Sequence, residues 1–308
     1  MHVRLTSPRV VGAFVRTACR PGWWRVEICL SLCLWAGGWA RAADTEQYLS
    51  PVAIAASPDG ATLFVAAGTA GRVLIVDAAS GQVWSATALG GHANALALAP
   101  DGTRLIVATG EASGQIEVCD ARSGRVERLV RAGHTPSALA VSPDGLRLYV
   151  ANRFNHDVSV IDWKGGRELG RIPVVREPVA LVLTPDGRRL FVGNHLPAGR
   201  ADAAEIAAAI TVIDTERLEP AAQIQLPNGS TAVRGLAMSG DGEIVYATHG
   251  LGRYQMPTTQ LDRGWMNTSA LSVIDAAKAE RINTVLVDDV DLGAANPWGV
   301  ACSSDGRW

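Results

Sequence analysis

From residue 51 onward, short apolar runs alternate with turn residues at a regular interval. Ser57-Pro58-Asp59-Gly60 returns as Ala99-Pro100-Asp101-Gly102, Ser142-Pro143-Asp144-Gly145 and Thr184-Pro185-Asp186-Gly187. Two variants follow, Ser239-Gly240-Asp241-Gly242 and Ser303-Ser304-Asp305-Gly306. The turn aspartates are spaced by 42, 43, 42, 55 and 64 residues. Each tetrapeptide has the chemistry of a tight hairpin, with Pro fixing φ, Asp bonding local backbone and Gly closing the turn. A strand of small and apolar residues precedes each turn, as in Pro136-Ser137-Ala138-Leu139-Ala140-Val141, and a β-rich run such as Leu148-Tyr149-Val150 follows it. A third strand ends in Asp each time: Ile75-Val76-Asp77, Val118-Cys119-Asp120, Val160-Ile161-Asp162, Val212-Ile213-Asp214 and Val273-Ile274-Asp275. A fourth, more polar strand comes after a short turn, as in Gly124-Arg125-Val126-Glu127-Arg128-Leu129. The pattern predicts an all-β chain with four strands per repeat.

Four strands in about 42 residues predict a β-propeller of four-stranded antiparallel blades, because one such unit cannot bury its faces alone. The sequence holds five full blades and the start of a sixth. The block Pro136 to Asp162, with Ser-Pro-Asp-Gly-Leu-Arg-Leu-Tyr-Val-Ala-Asn and Val-Ser-Val-Ile-Asp, resembles the YVTN family of propeller repeats found in exported bacterial proteins. The resemblance runs from about Pro51 to Trp308. Members of that family usually close with about seven blades, so the resemblance implies a truncated seven-bladed propeller over residues 43–308.

The first 42 residues read as a secretory signal. Arg4, Arg9, Arg16, Arg20 and Arg25 precede an apolar stretch from Ile28 to Ala40, and Ala40-Arg41-Ala42 fits a cleavage site. That stretch is too short for a stable membrane span, so the expected product is exported, periplasmic or extracellular, with no span after signal cleavage. The chain has 28 basic and 30 acidic residues, and the first 43 positions hold six Arg and one Glu, which leaves 22 basic against 29 acidic groups beyond them. An acidic body argues against nucleic acid as a partner. Cys119 and Cys302 fall on apolar strand positions and read as small core residues. No Cys-x-x-Cys-His occurs, so the chain attaches no c-type haem itself.

The distance from turn Asp to strand-end Asp is 18 or 19 residues in the first three repeats, but 28 in the fourth (186 to 214) and 34 in the fifth (241 to 275). Both expansions fall between second and third strands, Asn194 to Ala209 and His249 to Ser269, on the end that also carries the links between blades. Residues 201 to 209 read as a short helix. Insertions on one end mark the binding side of a repeat protein. His92 and His134 are read as occupying one inter-blade position, two before Asn94 and Pro136, which Arg176 takes in the next blade. His156, His195 and His249 sit between second and third strands, and Arg153, Arg234 and Trp298 lie near strand starts on the same side. The blade-five segment adds Arg253, Tyr254 and Trp265, residue types that suit a protein interface or a lid, or equally a packed Ω-like loop covering the channel mouth. Two readings of the imidazoles stand: a metal or haem-edge site with His195 and His249 as the ligand candidates, or hydrogen bonding within and between blades.

The blade-five segment also resembles one in exported propellers joined to, or encoded beside, c-type cytochrome and di-haem peroxidase-like modules. That resemblance implies a protein partner carrying haem c, in a separate chain or a C-terminal domain, with no cofactor in this chain. The expected role is a binding or docking module for a periplasmic haem-based redox system. The alternative is an enzyme with a channel-mouth active site, a quinoprotein-like dehydrogenase or a lactonase-like hydrolase; fold alone does not choose between them.

Overall fold

The computed structural model describes residues 48–200, 202–252, 267–288, 297–303 and 305–306. Among the described residues twenty strands form five antiparallel sheets of four, each a simple meander in chain order. The first holds β1 (Pro51–Ala56), β2 (Thr62–Ala67), β3 (Arg72–Asp77) and β4 (Val83–Ala88). The second holds β5 (Ala93–Leu98), β6 (Arg104–Thr109), β7 (Gln115–Asp120) and β8 (Val126–Arg131). The third holds β9 (Pro136–Val141), β10 (Leu148–Asn152), β11 (Asp157–Asp162) and β12 (Arg167–Pro173). The fourth holds β13 (Pro178–Leu183), β14 (Arg189–Asn194), β15 (Ala209–Asp214) and β16 (Glu219–Gln225). The fifth holds β17 (Ser230–Met238), β18 (Ile244–Gly252), β19 (Asn267–Asp275) and β20 (Glu280–Leu286). No helix among the described residues is long and apolar enough to cross a membrane.

The sequence repeats build the sheets through two recurring turns. In the first, the hydroxyl of Ser57, Ser142, Thr184 or Ser239 donates to the Asp two residues on, and that carboxylate also accepts a backbone N–H. The hydroxyl and amide donors hold Asp59, Asp144, Asp186 and Asp241 below the usual carboxylate range. The turn glycines sit at positive φ, for example Gly145 at 68° and Gly187 at 71°, which L side chains rarely adopt. In the second turn, the strand-end Asp accepts backbone N–H groups three residues on: Asp77 from Ser80, Asp120 from Ser123, Asp162 from Gly165 and Asp275 from Lys278. The repeated strand-end aspartate is therefore a turn-forming residue. Replacing Ser142 by Ala removes a 6 % exposed hydroxyl that bonds Asp144 and both the N–H and C=O of Arg147. We expect a loss of about 1–2 kcal/mol in urea unfolding, and an unchanged midpoint would contradict this account of the turn.

Alternate residues of each second strand face opposite neighbours, and this places the core between sheets rather than within one. Phe64 and Ala66 pack on Leu105, Val107 and Cys119. Ile106 and Ala108 pack on Leu148 and Val150. Tyr149 packs on Leu190 and Val192, and Phe191 on Val245 and Ala247. All of these side chains are at most 3 % exposed. The first strands of successive sheets lie side by side, β1 with β5, β5 with β9, β9 with β13 and β13 with β17. This arrangement, with first strands innermost, is propeller-like.

The end carrying the Pro-Asp-Gly turns is tied across sheets by arginines. Arg147 donates to the Thr215 carbonyl at 2.7 Å, and Arg189 to the Ala276 carbonyl at 2.8 Å and to that of Ala277. The first sheet has one face uncovered: Ile54 is 65 % exposed and Leu63 and Val65 are half-buried, whereas Leu105 and Val107, at the matching places in the second sheet, are fully buried. Beyond the fifth sheet, residues 297–303 continue the inner row: a Cβ on Gly235 of β17 would lie 3.1 Å from Cα of Gly299. Among the described residues they form no strand.

Several sequence expectations meet a different local structure. Residues 202–208 are turn and extended chain, not helix. Ala207 and Ala208 are buried and continue into β15, while Asn228 accepts the Ile206 N–H and Ile206 accepts the Gly229 N–H. The expansion of the fifth repeat begins later than the apolar run implies, because β18 and β19 each extend to nine residues and pair as far as Gly252 with Asn267. Cys119 and Cys302 are free thiols. Burial, and next the charges of Glu117 and Glu127, push the Cys119 thiol up to about 12, so it is an inert core side chain.

Candidate functional site

A cavity of about 310 Å³ opens where the innermost strands begin. Its wall is a register position. Val52, Asn94, Ser137, Val179, Arg234 and Trp298 each stand seven residues before a turn Asp, at 59, 101, 144, 186, 241 and 305, and all six line the cavity. The repeat therefore delivers one side chain per sheet to the same place, and the sixth comes from the segment after the fifth sheet. Arg153 and His195 also line it. Both stand just after the end of a second strand, in β10–β11 and β14–β15 respectively. Strand pairing puts the start of β13 opposite the end of β14, Pro178 against Asn194, and the start of β17 opposite the end of β18, Ser230 against Leu251. The two expanded crossings thus leave the molecule at the end where this mouth lies.

Most polar groups at the mouth already have partners. Arg153 donates from Nε and Nη2 to one carboxylate oxygen of Glu177, at 3.0 and 2.8 Å. Asn94 donates to the Gly110 carbonyl at 2.6 Å, and Ser137 to the Pro178 carbonyl at 2.7 Å. His195 Nδ1 lies 2.9 Å from the Val233 carbonyl, which fixes the proton on Nδ1 and leaves Nε2 as the other ring nitrogen. Arg234 is the exception. Its guanidinium lies 4.1 Å over the Trp298 ring, its Nε is buried without a partner, and no carboxylate among the described residues pairs with it. Cation–π stacking fixes the plane of the guanidinium while leaving its N–H edge free to donate.

The other sequence candidates are placed elsewhere. His92 is exposed and its Nδ1 lies 3.1 Å from the Gly68 carbonyl of the preceding sheet. His134 stacks edge-on against Phe154 at 5.2 Å and bonds Thr135. The two do not share one position, since His92 directly precedes its strand as Thr135 and Glu177 do, whereas His134 matches Arg176. Exposed His156 accepts the Glu177 N–H at 3.0 Å, and Arg176 approaches Glu177 at 4.0 Å. Arg253, Tyr254 and Trp265 lie outside the described residues, as does the signal segment 1–42.

His249 calls for a correction. It lies not in a loop but in β18, fully buried, at the place held by Thr109, Asn152 and Asn194 in the preceding three sheets. Each of those bonds a polar side chain of its third strand: Thr109 to Glu117, Asn152 to Ser159, Asn194 to Thr211. His249 does the same, with Nε2 2.9 Å from Ser272 Oγ and Nδ1 3.1 Å from the Gly250 carbonyl. Neither ring nitrogen is free to bind a metal, and no group of three metal-ligating side chains occurs among the described residues.

No family model matches the chain. No curated protein matches it either. Among solved structures, a chain of Kuenenia stuttgartiensis hydrazine synthase is similar with a TM-score of 0.76 at 24 % identity, over 88 % of this chain and 76 % of that one. The fold is propeller-like. At that identity the likeness concerns architecture alone, and a large number of other solved chains share it. The propeller-like arrangement explains why residues more than a hundred positions apart, such as Ser137 and Trp298, meet at one mouth.

The position seven residues before each turn Asp was open to counting in the sequence, but its meaning depends on which strand lies innermost. Val52, Asn94, Ser137 and Val179 carry no functional signal of their own and emerge only from that geometry.

Proposed function

We propose that the chain is an exported β-propeller of YVTN type that acts as a binding and docking module, with the channel mouth as its working surface and a haem-carrying redox protein as its partner. The observation that carries this reading is the convergence of Arg153, His195, Arg234 and Trp298 on one cavity, at the end from which both expanded crossings leave. Cations, an imidazole and an indole are recognition groups, and the carboxylate of Glu177 beside them is engaged by Arg153. The haem-carrying partner rests on the resemblance of residues 253–267 to segments of cytochrome-associated propellers. The uncovered face of the first sheet supports a ring larger than five sheets, a further blade covering Ile54, Leu63 and Val65 as the first sheet covers Leu105 and Val107.

The test uses affinity-tagged protein expressed in its own host, recovered from the released periplasm and stained for haem. A haem-staining polypeptide with a Soret band should co-elute. An Arg234→Ala, Trp298→Ala double variant should lower its yield about ten-fold, as removal of a central Arg–aromatic pair does at interfaces. Recovery of the tagged protein without haem would remove the redox partner, and retention in the cytoplasm would remove the exported location.

A further inference from the structure

We propose that the channel mouth is a binding site for a small monocarboxylate with an apolar body, the carboxylate being taken by Arg234. The inference rests on the binding-module reading and names the ligand chemistry of that same cavity. Among the described residues Arg234 is the one strong donor there not already engaged: Arg153 is held by Glu177, Ser137 and Asn94 by backbone carbonyls, and His195 Nδ1 by the Val233 carbonyl. Its Nε is buried with nothing to bond, so the guanidinium is already desolvated on that side and its terminal N–H groups are the ones left to meet a ligand in the cavity. Trp298 holds the guanidinium flat at 4.1 Å, so its two Nη groups form a planar fork that matches the two oxygens of a carboxylate.

Charge and size narrow the class. Among the described residues no Asp or Glu lines the cavity, and of its two arginines only Arg234 lacks a carboxylate partner. One uncompensated cation balances one negative charge; a phosphate dianion would leave an excess charge in a partly enclosed site on an acidic body. Beside the polar side chains Asn94, Thr135, Ser137, Arg153 and His195, the wall holds Val52, Ala93, Val179 and the Trp298 ring, which offer apolar contact to a ligand's body. A volume of about 310 Å³ stands at the small end of ligand cavities, roughly 300–1,000 Å³.

The test is calorimetric titration of the protein with benzoate, butyrate and inorganic phosphate at matched ionic strength. Benzoate and butyrate should bind with Kd of about 1 mM or tighter, and phosphate more weakly than either. Arg234→Gln should weaken benzoate at least about ten-fold, with a melting temperature close to the parent's. Arg122→Gln, an exposed arginine in the β7–β8 turn at the opposite end, should change nothing. Should Arg234→Gln fail to fold, benzoate should still shield Arg234 of the unaltered protein from phenylglyoxal, read by mass spectrometry. Absence of carboxylate binding, tighter binding of phosphate, equal binding by Arg234→Gln, or no shielding of Arg234 would each overturn the proposal. Haem-protein capture is a separate readout: benzoate binding without a haem partner leaves the carboxylate site standing, and capture without benzoate binding leaves only the docking surface.

Discussion

Phe191→Ala is expected to destabilise the protein by about 3–5 kcal/mol, the usual cost of emptying a buried aromatic site. Phe191 is fully buried and belongs to the cluster joining the fourth and fifth sheets, against Val212, Val245, Ala247 and Ile274. The nearby small side chains, Ala208, Ala247 and Ala276, cannot swing into the vacated space, so collapse around the cavity is limited. Because each sheet contacts only its neighbours, the damage should be local. Amide exchange should quicken in β14, β15, β17 and β18 and remain nearly unchanged in the first and second sheets. Urea unfolding followed by exchange mass spectrometry measures both, and a loss below about 1 kcal/mol would contradict the packing described between these sheets.

His249 carries the second large effect. With the proton on Nδ1 bonded to the Gly250 carbonyl, Nε2 accepts from Ser272, whose hydroxyl oxygen lies 2.8 Å from that of Thr284. One neutral tautomer satisfies the whole chain of bonds. His249→Ala leaves a cavity and removes these bonds, at a cost of about 2–4 kcal/mol. His249→Asn should cost markedly less, because asparagine fills the matching place as Asn152 and Asn194. Burial pushes the His249 imidazole below its ordinary value of 6.5. The unfolded chain therefore takes up a proton near that value while the folded chain does not, and stability falls as pH drops below it. Thermal melts between pH 7 and 5 should decline more steeply for the parent than for His249→Asn. Parallel slopes would mean that the ring is not held neutral, and an Asn variant as unstable as Ala would argue against the equivalence of the sheets at this place.

The strands and both turn types were legible because they depend on neighbours in sequence: a hydroxyl two residues before an Asp, a Gly at positive φ, an apolar run between them. The end at which the long crossings emerge could also be deduced, since a meander alternates direction strictly. His249 could not be placed from its surroundings alone. Thr248-His249-Gly250 lacks apolar alternation, and β18 continues through it because Gly250 to Gly252 find partners in Asn267 to Ser269. Aligning the residue with Asn152 and Asn194 by its distance from the turn Asp would have shown its role. The alanine-rich run at 202–209 misled for a related reason: helix propensity is a local quantity, whereas Ala207 and Ala208 are small because the sheet core closes on them. Of the mouth residues, Arg153, Arg234, His195 and Trp298 stood out by chemistry, but that they share one cavity depends on the curvature of the sheet stack, which no single repeat encodes.

The arginine ties at the far end from the mouth, Arg147 to Thr215 and Arg189 to Ala276 and Ala277, all end on main-chain carbonyls. A carbonyl is present whatever side chain occupies the position, so mutation of the receiving turn does not remove the acceptor. In each tie the donating arginine is the constrained partner, and the turn it grips can change wherever it keeps its turn-forming aspartate, Asp214 or Asp275. A scaffold fastened in this way can diversify its outer surface over evolutionary time while its blades keep their spacing.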